Sequence, residues 1–199
     1  MITRKEMTRM LLKEGLLSWL ANNSFEFITV TLLCKTSGIT RSTFYLHYSN
    51  IMEIVDDLVD DAIAYSKPGM VDNNNLQTIA NTLSAASNSV SLREAYDSIF
   101  DRLPLCQRII RHKKYLPLFL DEQISEYVLQ RIIRREKDRQ GLVMAKALGI
   151  SFDVGVSVFV FLVHGLYAIN KEYKWSQSDQ WLEAQKIIFE LVYRGLQSK

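Results

Sequence analysis

The chain has 199 residues, 48% apolar and 23% charged, with a formal net charge of +2, proportions that exclude a disordered polar chain and leave one large soluble domain or a small one joined to a larger. Cys34 and Cys106 are far apart and lack C-x-x-C or histidine company, which argues against a disulfide framework or a zinc site and fits a reducing cytoplasm. Arg4, Lys5, Glu6, Arg9, Lys13 and Glu14 interrupt the opening segment, so no secretory leader is expected.

Apolar residues recur three and four apart almost throughout and strand alternation is nearly missing, so the fold class is all-α. The first helix is expected from Thr3 to Asn22, with Met7, Met10, Leu11, Leu17 and Leu20 as its apolar stripe. Phe25, Phe27 and Ile28 follow as a short apolar clamp. Thr29 then caps a second helix over Val30–Thr36, which Gly38 stops. Thr40 caps a third helix over Arg41–His47, and Asn50 caps a long acidic one from Ile51 to about Ser66, where Lys67-Pro68-Gly69 ends it.

Beyond a polar linker at Asp72–Asn75, helical patterning resumes over Leu76–Ser89 and over Leu92–Lys114, the latter bent or broken at Pro104. Pro117 opens another helix to about Gln140, Gly141 and Gly149 bracket a short turn or helix, and the last two helices cover Ile150–Tyr173 and about Ser178–Leu196. The Ile150–Ile169 run is long enough to span a bilayer, but it contains Asp153, Ser151, Ser157 and His164, so a helix buried on nearly all sides is expected.

Charge is unevenly spread. Met1–Asn50 carries six cations (Arg4, Lys5, Arg9, Lys13, Lys35, Arg41) against three anions, whereas Ile51–Asn74 carries six acidic residues against Lys67 alone. The first stretch is the natural place for an anionic partner. Asp56, Asp57, Asp60 and Asp61 have metal-like spacing without histidine and read as a solvated acidic face. Arg131, Arg134, Arg135, Lys137 and Arg139, mixed with Glu136 and Asp138, read as a solvated basic one.

Two short helices joined at a glycine match the helix-turn-helix arrangement, whose second helix enters the DNA major groove. Leu33, Cys34, Ile39 and Phe44 form its buried side, leaving Arg41, Ser42, Thr43 and Tyr45 outward. Arg41 suits guanine O6 and N7, Ser42 and Thr43 suit bases or phosphate, and Tyr45 with His47 suits flanking phosphate.

The stretch Gly38-Ile39-Thr40-Arg41-Ser42-Thr43-Phe44-Tyr45-Leu46-His47-Tyr48, with Thr29-Val30, Leu33-Cys34 and Asn50, resembles the N-terminal signature of the TetR/AcrR family of transcriptional repressors. The resemblance implies a three-helix DNA-binding domain at residues 1–50 and a larger helical ligand-binding and dimerisation domain at 51–199, with 51–66 as the connecting helix. It makes Thr31, Arg41, Ser42, Thr43 and Leu46 candidate base-side contacts and Thr29, Tyr45 and His47 candidate phosphate contacts. Ile51 departs from the pattern, standing where the family usually places a phosphate-binding lysine.

A single reading helix makes too few contacts for selective binding, so a twofold homodimer is expected, with Phe159, Val163, Trp181, Ala184, Ile188, Leu191 and Val192 at its interface. The family also implies a small-molecule effector. Its candidate contacts are Tyr96, Phe100, Tyr115, Phe119, Tyr127, Phe161, His164 and Tyr167, although an aromatic stripe is more often core. The expected function is thus a cytoplasmic one-component regulator that represses from a palindromic operator, with no cofactor and no metal. The alternative is an interaction or co-regulator module that has lost selective DNA binding. An enzyme is not expected, since no G-x-S-x-G, phosphate-cradling glycine loop or paired catalytic acid is present.

Overall fold

A computed structural model describes residues 3–66, 75–103, 107–108 and 113–197. The described residues form ten α-helices and two 3₁₀ turns, with no strand among them. The expected stops at Lys67-Pro68-Gly69 and Pro104, and most of the Asp72–Asn75 linker, lie outside the described residues.

The chain divides into two compact units. The first comprises Met1–Ala64 and His112–Ile132, the second Tyr65–Arg111 and Ile133–Lys199. The first unit therefore extends past residue 50, because most of the fourth helix and a segment from far along the chain pack into it.

Helix α1 (Arg4–Leu20) opens with a capping box between Thr3 and Glu6. Leu12, Leu16, Leu17 and Leu20 form its buried face. The expected stripe was rotated, since Met7 and Leu11 are exposed. The apolar clamp is likewise only partly realised: Ile28 is buried, but Phe27 is 66% exposed.

Helix α2 (Val30–Ser37) is capped by Thr29, whose hydroxyl oxygen accepts from the Leu32 amide at 3.2 Å. It closes at Gly38, whose φ of 67° is left-handed, and the Ile39 amide reaches back to the Cys34 carbonyl at 2.9 Å. This closure satisfies helix-end carbonyls and needs a residue without Cβ. Helix α3 is five residues, Arg41–Tyr45, shorter than expected. Helix α4 (Ile51–Ser66) starts at Asn50, whose side chain accepts from the Glu53 amide while Glu53 accepts from the Ser49 amide.

The segment expected as one helix from Pro117 is two: α7 (Pro117–Leu120) and α8 (Ser125–Leu148). Asp121 makes the break. Its buried carboxylate accepts from the amides of Gln123, Ile124 and Phe25, the last at 2.7 Å, and so ties the loop before α2 to the start of α8.

In the second unit, α5 (Asn75–Ser84) and α6 (Ser89–Ser98) both pack on α10 (Asp179–Gln197), and α9 (Phe152–Glu172) also meets α10. Gly141 lies inside α8 instead of ending it. A Cβ at Gly155 of α9 would collide with the Gly141 carbonyl and stand 2.8 Å from the Ala145 amide nitrogen, so glycine permits this backbone-close crossing. The turn itself is at Gly149, with φ 63°.

Helix α9 departs from the expectation of burial on nearly all sides. It is long and apolar enough to cross a membrane, yet only 33% of its most apolar window is buried.

Candidate nucleic-acid interface

The segment after Gly38 exposes most of what it carries. Phe44 is completely buried and anchors α3, its ring 6.2 Å from that of buried Tyr48. Arg41 and Ser42 are exposed, as are Tyr45 at 53% and Leu46 at 80%. Leu33 and Cys34 are buried as expected, whereas Ile39 is half-buried. Burial pushes the Cys34 thiol up, so it is an unreactive core group.

Three hydroxyls gather at the start of α3. Thr40 Oγ1 accepts from the Thr43 amide at 3.2 Å and lies 2.8 Å from Thr43 Oγ1 and 3.0 Å from Ser42 Oγ. Thr43 is consequently half-buried, less accessible than Ser42. Thr29 and Thr31 are both exposed on α2 or its cap. His47 is half-buried, and its Nδ1 is enclosed with no partner among the described residues.

The aim of α3 is held by a charged set behind it. Asp57 of α4 accepts from the Tyr48 hydroxyl at 2.6 Å and from Arg9 of α1, whose Nε stands 3.1 Å away. The Arg9 guanidinium also lies over the Tyr48 ring, 5.0 Å from its centroid. Burial, and then the bond to Asp57, push the Tyr48 hydroxyl well above its ordinary range; the Asp57 hydrogen bond raises Arg9.

The acidic face of α4 is therefore not simply solvated. Lys13 pairs with Asp61, and Arg131 bridges Asp56 at 3.1 Å and Asp60 at 3.3 Å, with the Tyr127 hydroxyl donating to Asp56 at 2.6 Å. Two of the six N-terminal cations are thereby committed to carboxylates. Arg4, Lys5, Lys35 and Arg41 remain exposed.

The other candidate residues separate. Tyr115, Phe119 and Tyr127 belong to the first unit, and Tyr96, Phe100, Phe161, His164 and Tyr167 to the second. Tyr96, Tyr115, Phe119 and Tyr167 are buried, Phe100 and His164 half-buried, and Phe161 is 69% exposed. A cavity of about 220 Å³ in the second unit lies between the start of α6 and α10, lined by Asn88, Ser89, Leu92, Asp179, Glu183 and Lys186 among others, and by none of those eight.

Of the expected interface residues, Trp181 is completely enclosed by its own unit, where its Nε1 donates to Asn170 at 2.9 Å and its ring meets Tyr96 edge-on at 5.1 Å. Phe159 and Val163 are also buried, Ala184, Ile188 and Val192 half-buried, and Leu191 exposed. The exposed apolar residues of these two helices that were not expected at an interface are Phe152, Val154 and Phe161 on α9 and Ile187 on α10. The spacing of seven between Val154 and Phe161 was the available signal.

No protein-family model matches this chain, and comparison with curated proteins and solved structures likewise finds no significant match.

Proposed function

We propose that the chain is a one-component transcriptional regulator of the TetR/AcrR type, a repressor that binds a palindromic operator as a homodimer and is released by a small-molecule effector. One observation carries the reading: α3 spends a single residue, Phe44, on the core and turns Arg41, Ser42 and Tyr45 to solvent, with Leu46 just beyond. An exposed leucine beside an exposed arginine suits a groove floor that offers both a thymine methyl and guanine acceptors. The Arg9–Tyr48–Asp57 set supports it further, because a reading element must be held at a fixed angle.

Two copies would bring two such elements to half-sites about 34–36 Å apart. The surface that suits the contact is Val154 and Phe161 of α9 with Ile187 and Leu191 of α10, an apolar face left open in a single chain.

A test is selection of bound fragments from random duplexes. A palindrome with half-sites one turn apart should be enriched, and Arg41→Ala should relax preference at one base pair per half-site. Ile51→Lys should tighten binding to many sequences alike and steepen the salt dependence by about 0.9 per added phosphate contact. Enrichment of no palindrome sinks the reading. It would leave the second one, an interaction module without selective DNA binding, which the pairing of Arg9 and Lys13 with carboxylates and the presence of Ile51 favour.

A further inference from the structure

Helix α4 is held along both edges of its buried face. Ile54, Val55, Leu58, Val59, Ala62 and Ile63 turn inward. At about 100° per residue, Asp57 and Asp61 border that face on one side and Asp56 and Asp60 on the other. Each edge carries ion pairs one turn apart: Arg9 and Lys13 of α1 take Asp57 and Asp61, and Arg131 of α8 takes both Asp56 at 3.1 Å and Asp60 at 3.3 Å. The Tyr127 hydroxyl, one turn before Arg131, adds a bond to Asp56 at 2.6 Å.

Apolar contacts are non-directional, whereas a charge-assisted bond fixes an angle, so a helix pinned at both edges of its buried face resists rolling about its axis. Roll matters here because Asp57 also accepts from the Tyr48 hydroxyl at 2.6 Å, and the Tyr48 amide donates to the Phe44 carbonyl of α3 at 3.0 Å. A turn of α4 would carry Asp57 away from Tyr48 and release the end of α3. The other neighbour of α3 is held from the same distant segment, since Asp121 accepts from the Phe25 amide ahead of α2 at 2.7 Å.

We propose that Arg131 is a positioning residue for α3: by gripping Asp56 and Asp60 it fixes the roll of α4 and, through Asp57 and Tyr48, the angle of the exposed face that carries Arg41, Ser42 and Tyr45. A guanidinium fork suits this task, because two carboxylates one turn apart are reached at once, each by its own nitrogen. Arg131 and both carboxylates are part-exposed, so the pairs add little to stability and act on direction. The inference rests on the proposed function for its effect at DNA; the effect on α3 itself does not.

The test compares the full chain with Arg131→Gln, Arg131→Lys and, as a control for charge alone, Arg134→Gln, whose arginine is exposed on the same helix. In DNA-free protein, Arg131→Gln should shift the amide resonances of residues 41–46 and the Tyr48 ring while lowering the melting temperature by less than about 4 °C. On a palindrome selected from random duplexes it should weaken binding about tenfold, roughly one base contact's worth, with binding to random duplex and the salt slope unchanged. Arg131→Lys keeps the charge without the fork and should recover part of the loss, and Arg134→Gln should move neither readout. The proposal is overturned by unmoved resonances at residues 41–46, by the same palindrome loss in Arg134→Gln, or by a larger fall in melting temperature, which would make the clamp a stabilising pair. Equal weakening on all duplexes with a slope lower by about 0.9, the mark of a direct phosphate contact, overturns it as well. Enrichment of no palindrome sinks the proposed function and leaves the resonances to decide the positioning role alone.

Discussion

In the first unit, groups that carry charge between helices come in pairs, Arg9 with Asp57, Lys13 with Asp61, and Arg131 with Asp56 and Asp60. In the second unit the interior contacts are rings and small residues, Tyr96 on Trp181, Tyr167 on Trp175 and Gly155 on Gly141, while the ion pair between its helices, Arg93 with Asp179, lies exposed. The difference follows from what each contact constrains. A charge-assisted hydrogen bond has a narrow geometry and fixes orientation. Ring packing constrains volume more than direction.

Substitutions can break or sharpen that contrast. The largest effect is expected from Phe44→Ala, which deletes a completely buried ring and should cost about 3–5 kcal/mol in denaturant unfolding, with loss of the first unit's amide protection. A second unit that lost protection equally would show that the two do not open separately.

Gly155→Ala comes next. The added methyl would meet the Gly141 carbonyl and the Ala145 backbone, which cannot turn aside, so about 1–3 kcal/mol should be lost, concentrated in the second unit.

Tyr48→Phe should cost about 1 kcal/mol for the lost hydrogen bond to Asp57. It also has a pH signature. Because the folded hydroxyl ionises above its unfolded value, its stabilising effect is complete below about pH 10 and is lost as pH rises beyond it. An ultraviolet titration of the nine tyrosines should show one late step that the variant lacks.

The smallest effect belongs to Glu6. Its carboxylate accepts from the Thr3 amide at 2.8 Å and from the Thr3 hydroxyl, which holds its pKa below the ordinary value. The cap is therefore present above the usual glutamate range and is lost as pH falls through the lowered value. Amide exchange in the first turn of α1 should rise below about pH 4 in wild type and lose that pH dependence in Glu6→Gln, which has no carboxylate to titrate.

Thr29, Thr40 and Asn50 were legible as caps because each bonds to a backbone group three residues away, a distance that a sequence displays directly. Leu33, Cys34 and Phe44 were legible as core by their spacing around Gly38. The α7–α8 break was not, since Asp121 holds it partly through Phe25, 96 positions away. The acidic run of α4 misled for the same reason: the partners of Asp57 and Asp61 lie 48 positions upstream.

The amino-acid order by itself determined an all-helical chain, the capped starts of α2, α3 and α4, the left-handed turn at Gly38 and the exposed polar face that follows it, because those depend on bonds within one or two turns. Only the tertiary structure decided which cations stay exposed, that Trp181 is enclosed while Phe161 is not, and that Gln185 is completely buried. Pairing and burial depend on which distant helices come together, and side-chain spacing along one helix carries no record of that.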